Sequence, residues 1–150
     1  MEAQREPLAA PCGLHCGVCA IYIAHRDGNV RLKEKLTSHY GVGVEDLHCH
    51  GCLSDDVFFY CQVCAIKSCA GEKGIEGCHE CADFPCGHID AFPIPVGKRE
   101  ILRSVPIRRA LGTKRWMAEE EERYHCPSCG GALFRGAKRC HACGEATAQP

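Results

Sequence analysis

The sequence predicts a small, mostly α-helical and loop-rich cysteine-rich domain that is stabilised by metal, followed by a short β-hairpin zinc ribbon. Two observations predict this class. Fifteen of the 150 residues are cysteines, whereas aromatic residues make up only 7% of the chain. The apolar core is therefore thin. Bound zinc can supply the missing stability, because its apparent binding free energy is about 10–16 kcal/mol per site in zinc-finger peptides.

The cysteines are predicted to be free thiols that bind metal. An odd number of cysteines cannot pair entirely within one chain. The first twenty residues contain no apolar run typical of a signal peptide, and the run from Val18 to Ala24 is far shorter than the roughly 20 residues that span a bilayer. We therefore expect a cytoplasmic protein without a membrane anchor, in a reducing compartment where thiols stay free.

The fifteen cysteines fall into five clusters. In chain order these are Cys12, Cys16 and Cys19; Cys49 and Cys52; Cys61, Cys64 and Cys69; Cys78, Cys81 and Cys86; and Cys126, Cys129, Cys140 and Cys143. The third and fourth clusters share the pattern C-x2-C-x4-C. Two copies of a pattern are too few to indicate a repeat protein.

Helices are predicted between the clusters. Leu32, Leu36 and Tyr40 recur at helical spacing before Gly41, which predicts an amphipathic helix over residues 29–40. Shorter helical segments are expected elsewhere, namely over residues 17–25 and for one or two turns after Cys61 and after Cys78. No strand is predicted before residue 124.

Pro93 and Pro95 predict the end of the first domain. We expect a cysteine-rich metal-binding domain at 1–93, a helical connector at 94–123 and a zinc ribbon at 124–150.

The connector is predicted to contain two helices. The first runs over residues 98–111, is perturbed at Pro106 and stops at Gly112. The second extends to about Tyr124, with Thr113 as its N-cap.

The last four cysteines have the pattern C-x2-C-x10-C-x2-C, which is typical of a zinc ribbon. Each C-x2-C turn points both sulfurs the same way, and two such turns close a tetrahedron around Zn²⁺ at about 2.3 Å per sulfur. We expect strands at 133–135 and 138–140 that turn at Gly136. The same ligands suit a rubredoxin-type iron site, which stays an alternative.

The eleven cysteines of the first domain do not divide into groups of four. We expect all of them to be metal ligands in at least two zinc sites, and the sequence leaves their pairing open. A histidine can complete a further site, although each single histidine is interpreted as a bystander. The histidines beside cysteine clusters are His15, His48, His50, His79, His88, His125 and His141.

An iron–sulfur cluster is the alternative to zinc in the first domain, because cysteine-only sites serve both. The spacing of Cys12, Cys16 and Cys19 also occurs in radical S-adenosylmethionine enzymes. The roughly 80 residues that follow it are too few for most of a barrel, since a full one needs about 200 or more. Cys86 is a reactive-thiol candidate only if it is not a metal ligand.

Charge is distributed unevenly. Residues 1–93 carry 7 basic and 13 acidic side chains, whereas residues 94–150 carry 11 and 6. The basic residues of the connector and ribbon either contact nucleic-acid phosphates or form a helical face that is solvated or docks on the acidic first domain. Ten of the eleven make up this candidate surface, namely Lys98, Arg99, Arg103, Arg108, Arg109, Lys114, Arg115, Arg135, Lys138 and Arg139.

Two further features of the connector are assigned to structure. The acidic run Glu119 to Glu122 is interpreted as a solvated face, and Trp116 and Met117 as packing anchors.

Four segments together resemble a known bacterial and archaeal family. They are CGLHCGVCAIY from Cys12, CHGCLSD from Cys49, CQVCAIKSCA from Cys61 and KGIEGCHECADFPC from Lys73. Over residues 11–92 they resemble the family called domain of unknown function 3795. The connector around Gly112 and Trp116, followed by a ribbon, resembles longer members. The resemblance implies metal binding through the cysteines and no particular activity.

These observations predict a zinc-binding protein that acts as a non-catalytic interaction or adaptor module with a protein partner. Neither a glycine-rich phosphate loop nor a Ser/His/Asp set indicates an enzyme. The first alternative is an iron–sulfur or thiol redox protein. The second is nucleic-acid binding through the basic connector and ribbon.

Overall fold

The computed structural model describes residues 6–147, so the outermost ends of the predicted first domain and ribbon lie outside the described residues. Within this range, seven α-helices and four 3-10 turns are joined by loops. The helices are α1 (Ala20–Arg26), α2 (Val30–Tyr40), α3 (Phe59–Gln62), α4 (Ala65–Lys73), α5 (Gly87–Asp90), α6 (Pro95–Leu111) and α7 (Thr113–Arg123). The 3-10 turns are Glu6–Leu8, Cys16–Val18, Val44–Asp46 and Cys78–Glu80. A mostly helical, cysteine-rich fold is therefore confirmed.

The amphipathic helix predicted over residues 29–40 is α2. The side chain of Asn29 caps its first turn by accepting a hydrogen bond from the N–H of Leu32 at 3.1 Å. Gly41 ends the helix in the left-handed conformation, with φ 68°. The buried Leu32 and Leu36 pack in the same apolar cluster as the buried side chains of α1.

Small apolar clusters, which include cysteines, make up the core of the described residues. Cys49 is buried with Leu47 and Phe58 in one of them. Cys12 and Cys52 are buried with Ile101 and other aliphatic side chains in another. These cysteine side chains are thus part of the hydrophobic core.

The connector packs directly on the first domain. Ile101 and Val105 of α6 are completely buried in the cluster that contains Cys12. Trp116 of α7, also completely buried, packs with Leu8 near the start of the described chain. Shared packing therefore joins the predicted segments, while their boundaries as folding units stay a prediction.

The helix boundaries of the connector differ from the predicted ones. Helix α6 begins at Pro95 rather than at residue 98, because proline is favoured in the first turn of a helix. It is continuous through the exposed Pro106. Thr113 does not cap α7; its hydroxyl accepts a hydrogen bond from Arg108 at 3.0 Å and donates one to Glu76 at 2.8 Å.

The predicted hairpin is wrong for the part of the chain that the structure describes. Residues 133–135 and 138–140 do not form a ladder; the isolated bridges of this region join His125 to Ala132 and Arg139 to Ala146. One reason is visible at Arg135, whose N–H donates to the carbonyl of Val18 at 2.7 Å. Its backbone donor is used by the first domain instead of by a partner strand.

None of the helices in residues 6–147 combines the length and the hydrophobicity that crossing a membrane requires.

Candidate metal centres

The two C-terminal C-x2-C turns have the same backbone hydrogen bonds, fourteen residues apart. In each turn, the N–H of the first cysteine donates to a carbonyl five residues later, and its own carbonyl accepts from the glycine four residues later. In the first turn these bonds join Cys126 to Gly131 and Gly130 to Cys126, both at 2.8 Å; in the second they join Cys140 to Glu145 at 2.9 Å and Gly144 to Cys140 at 2.8 Å. Each turn therefore closes on itself.

The closed turns bring four sulfur atoms together, which form the C-terminal cysteine cluster. The Sγ atoms of Cys126 and Cys143 are 3.7 Å apart, as are those of Cys129 and Cys140. All four lie within 4.8 Å of one another. An ion bound tetrahedrally at about 2.3 Å per sulfur requires sulfur atoms about 3.8 Å apart. The C-terminal cysteine cluster can therefore hold a tetrahedral metal ion.

Backbone groups favour the thiolate form at this cluster. Hydrogen bonds from the backbone of Cys143 and Ala142 lower the pKa of Cys140 to about 7. The backbone of Cys129 likewise lowers the pKa of Cys126. Because metal ligands must be deprotonated, these N–H groups prepare both sulfurs for binding.

A second group of four cysteines lines a cavity between α4 and α5. Its members are Cys69, Cys78, Cys81 and Cys86, and the cavity has a volume of about 20 Å³. A cavity of this size holds roughly one water-sized species.

The thiols of this second group differ in their electrostatic surroundings. Burial raises the pKa of Cys78 to about 11. Hydrogen bonds from the backbone of Asp83 and from Lys73 lower the pKa of Cys81, and the Nζ atom of Lys73 lies 3.3 Å from that sulfur. A thiolate is therefore stabilised at one edge of the cavity.

The other seven cysteines include Cys52, which contacts two of them. Its N–H donates to the sulfur of Cys16 at 3.4 Å, although 36 residues separate the two in sequence. Its thiol interacts with the sulfur atoms of Cys16 and Cys61. As a result the pKa of Cys61 falls to about 7, that of Cys16 is also lowered, and that of Cys52 is raised.

The remaining members of this seven-sulfur group are close enough for their thiolates to repel their neighbours. The thiolates of Cys16 and Cys64 repel a thiolate at Cys12, and those of Cys16 and Cys19 repel one at Cys49. By their electrostatic interactions the eleven N-terminal cysteines, whose grouping the sequence left open, fall into a group of seven and a group of four. The two groups adjoin, because Cys78 and Cys86 pack in the same apolar cluster as Cys12 and Cys52. Burial raises the pKa of Cys12 to about 12 and also raises the pKa of Cys19; the charge of Arg135, which reaches this region from the C-terminal turns, partly offsets both increases.

Residues 8–91 match the model of a family described as "Protein of unknown function (DUF3795)", and this range exceeds half of the chain. The chain belongs to this family. The matched range contains all eleven N-terminal cysteines and ends before α6. No curated protein and no solved structure matches the chain.

The histidines beside the cysteine clusters have varied surroundings. His15 is buried, packs edge-on against Trp116 and lies 3.2 Å from a carboxylate oxygen of Glu121. His88 lines the cavity of the second group. The others contact neighbouring groups: His48 and His50 contact Asp56, His79 contacts Glu76, His125 contacts the carbonyl of Glu122, and His141 contacts Phe134.

Several arginines of the basic connector are used inside the protein. The completely buried Arg108 donates to the carbonyl of Ala10 at 2.8 Å and lies over the ring of Trp116, 4.7 Å from its centroid. Arg109 donates to the carbonyl of His79 at 2.8 Å and to that of Cys81, a member of the second cysteine group, at 3.1 Å. These contacts dock α6 on the acidic first domain.

The acidic run of α7 contributes to packing between the two connector helices. Glu120 is buried and binds Arg103 through both of its oxygens, at 2.7 and 2.8 Å. The prediction of a fully solvated acidic face is therefore wrong at Glu120. Trp116 and Met117 are buried, which confirms their role as packing anchors.

Proposed function

We propose that the protein binds zinc and uses it to stabilise an interaction or adaptor module without catalytic activity. The C-terminal cysteine cluster carries the proposal, because its four sulfur atoms have the spacing of a complete tetrahedron. Structural zinc sites have four protein ligands, whereas catalytic sites keep one position for water or substrate. This distinction favours a structural ion.

The N-terminal groups extend the proposal to all fifteen cysteines. The group of Cys69, Cys78, Cys81 and Cys86 has the ligand number of one tetrahedral ion. Two tetrahedral ions that share one bridging thiolate need seven sulfur ligands, which is the size of the other group. We assign the bridge to Cys52, because it contacts both Cys16 and Cys61. The protein would then hold four zinc ions.

Metal analysis of protein purified without oxygen tests this proposal. We expect about four zinc ions per chain by the ligand count above, with no visible absorption, because Zn²⁺ has a filled d shell. Iron above zinc, with strong visible absorption, would favour the iron–sulfur or redox alternative. A single zinc ion would restrict metal binding to one group of cysteines.

The interaction role is supported by exposed apolar side chains beside the Cys61–Cys64 turn. Val63 is 79% exposed, and the neighbouring Phe59 and Tyr60 are 41% and 48% exposed. Aromatic residues are enriched at protein interfaces, so we infer a protein partner. We place the protein in the cytoplasm, where thiols remain reduced.

Nucleic-acid binding has weaker support, because Arg103, Arg108 and Arg109 already contact protein groups. Binding of labelled single- and double-stranded DNA and RNA at low salt distinguishes this alternative. We expect no specific binding. An affinity that falls steeply with added salt would favour it instead.

A further inference from the structure

A cluster of imidazole and carboxylate side chains lies outside the three cysteine groups. His25 belongs to the last turn of α1, whereas His50 and Asp56 belong to the loop before α3. One ligand atom from each of these residues lies within 4.8 Å of the others. The rings of His25 and His50 are 5.0 Å apart and nearly perpendicular, at 79°.

The loop holds the carboxylate of Asp56 in place. The backbone N–H of His50 donates to the carbonyl of Asp56 at 2.8 Å, which closes the loop. The Nδ1 atom of His50 lies 2.8 Å from one carboxylate oxygen, and the Nδ1 atom of His48 contacts the other. Two imidazoles therefore orient a single carboxylate.

We propose that His25, His50 and Asp56 bind a divalent first-row transition-metal ion, and that His48 orients Asp56 from outside the ligand set. Two imidazoles and a carboxylate suit zinc, iron(II) and their neighbours. In a tetrahedral site, metal bonds of about 2.0–2.2 Å place neighbouring ligand atoms about 3.3–3.6 Å apart. The Nδ1 atom of His50 and the Asp56 oxygen, now 2.8 Å apart, therefore need to separate by less than 1 Å to bind an ion. The ion takes the place of the proton that His50 and Asp56 share.

This site differs from the cysteine groups in being open. Three protein ligands leave at least one position of a four-coordinate ion for water or another molecule. The side chain of His50 is 63% exposed, so the ion is accessible from solvent. An ion held here exchanges more readily than one enclosed by thiolates.

Lys33 opposes ion binding at this site. Its Nζ atom lies 3.2 Å from the Nδ1 atom of His25. An ammonium group only donates hydrogen bonds, so Nδ1 must be the acceptor and its lone pair is engaged. Repulsion between the ammonium and an incoming cation further weakens binding. Removal of the Lys33 charge should therefore strengthen ion binding at this site.

Titration of the full chain as purified with Co²⁺, followed by calorimetry and absorption, tests the proposal. We expect one further equivalent of cobalt, with weak ligand-field absorption and no sulfur-to-cobalt charge-transfer band. His50→Gln and Asp56→Asn should weaken binding at least tenfold. By analogy with other outer-shell partners, His48→Gln should weaken it about 10–100-fold. Lys33→Met should make binding several-fold tighter.

The exposed His39 of α2 provides the control, and His39→Gln should leave cobalt binding unchanged. The proposal is overturned if no further equivalent binds, if charge-transfer bands show exchange into the thiolates, or if His50→Gln and Asp56→Asn bind as the parent does. His25→Ala is also expected to abolish binding. If the His25→Ala variant loses its thiolate-bound zinc, the cobalt titration of His50→Gln, whose side chain is exposed, decides the test. The titration uses protein as purified, so its result is independent of which metal the cysteines hold.

Discussion

The C-terminal cysteine cluster and the seven-sulfur group around Cys52 are assembled by different kinds of contact. The C-terminal cysteine cluster needs two self-closed turns, and two of its sulfurs belong to the exposed Cys129 and Cys143. The seven-sulfur group brings together residues as distant as Cys16 and Cys52, inside an apolar core. A locally built site can thus be identified from cysteine spacing, whereas a site built by tertiary packing cannot.

Removal of all metal is expected to have the largest effect. The apparent zinc-binding free energy of about 10–16 kcal/mol per site in peptides is at least as large as the roughly 5–15 kcal/mol stability of a typical domain. A strong chelator under reducing conditions should therefore unfold the chain, as measured by far-UV circular dichroism and backbone amide spectra. The ion of the C-terminal cysteine cluster should leave first, because its sulfurs are more exposed.

A sample with excess zinc added together with the chelator is the control for this experiment. Full helical signal and dispersed amide spectra after complete metal removal would show that packing alone supports the fold. The C-terminal cysteine cluster and the seven-sulfur group would then not differ in how much bound metal stabilises them.

Replacement of one C-terminal ligand tests whether the two regions are separate folding units. Cys126→Ser leaves three thiolates, so it should release one ion and unfold residues 124–147. The N-terminal ions should stay bound. Stability of the remaining part should fall by about 1.5–3 kcal/mol, because Val18 loses apolar burial against Tyr124 and Leu133.

Zinc stoichiometry, amide spectra and urea unfolding measure these effects, and Ser128→Ala in the same turn is the matched control. Loss of every ion, or collapse of the signals from residues 12–86, would mean that the ribbon is not a separate unit. The predicted boundary at residue 123 would then be wrong.

The outcome of sequence reasoning follows the same contrast between local and tertiary structure. The helix over residues 29–40, the stop at Gly41 and the ligand set of the C-terminal cysteine cluster were predicted because each depends on neighbouring residues. The grouping of the eleven N-terminal cysteines was not predicted, since it depends on how α4, α5 and α6 pack. The prediction of a hairpin was wrong because of a tertiary contact: the backbone N–H of Arg135 donates to the carbonyl of Val18 in the first domain.

The residues missed at the His25 cluster also illustrate this limit. The close spacing of His48, His50 and Asp56 is a local signal that was available in the sequence. His25, in contrast, reaches them only through the position of α1.

Docking of the connector should depend strongly on one buried arginine. Arg108→Ala removes hydrogen bonds to Ala10 and Thr113 and the contact with Trp116. A hydrogen bond to a charged group contributes about 1.5–3 kcal/mol, so loss of these two should cost roughly 3–5 kcal/mol. The matched control is Arg115→Ala, whose exposed pair with Glu119 contributes about 1 kcal/mol or less. Equal losses in urea unfolding would contradict the importance of α6 docking for the first domain.

The smallest effect should come from Gly144, which shares a positive φ with Gly51 but differs from it in surroundings. Gly51 and Gly144 have φ values of 116° and 81°, in the region that disfavours side chains. A Cβ atom at Gly51 would lie 2.6 Å from the carbonyl oxygen of Pro7, whereas one at Gly144 would meet nothing within 4 Å. Gly144→Ala should therefore cost only the strain of about 1–2 kcal/mol. Gly51→Ala should cost roughly 1–3 kcal/mol more, because the backbone must move.

Urea unfolding of the metal-loaded variants measures both losses, and the parent protein at equal zinc is the reference. Equal losses would show that the Cys49–Cys52 turn is packed no more tightly than the C-terminal turn, which would remove the structural basis of the contrast between the two regions.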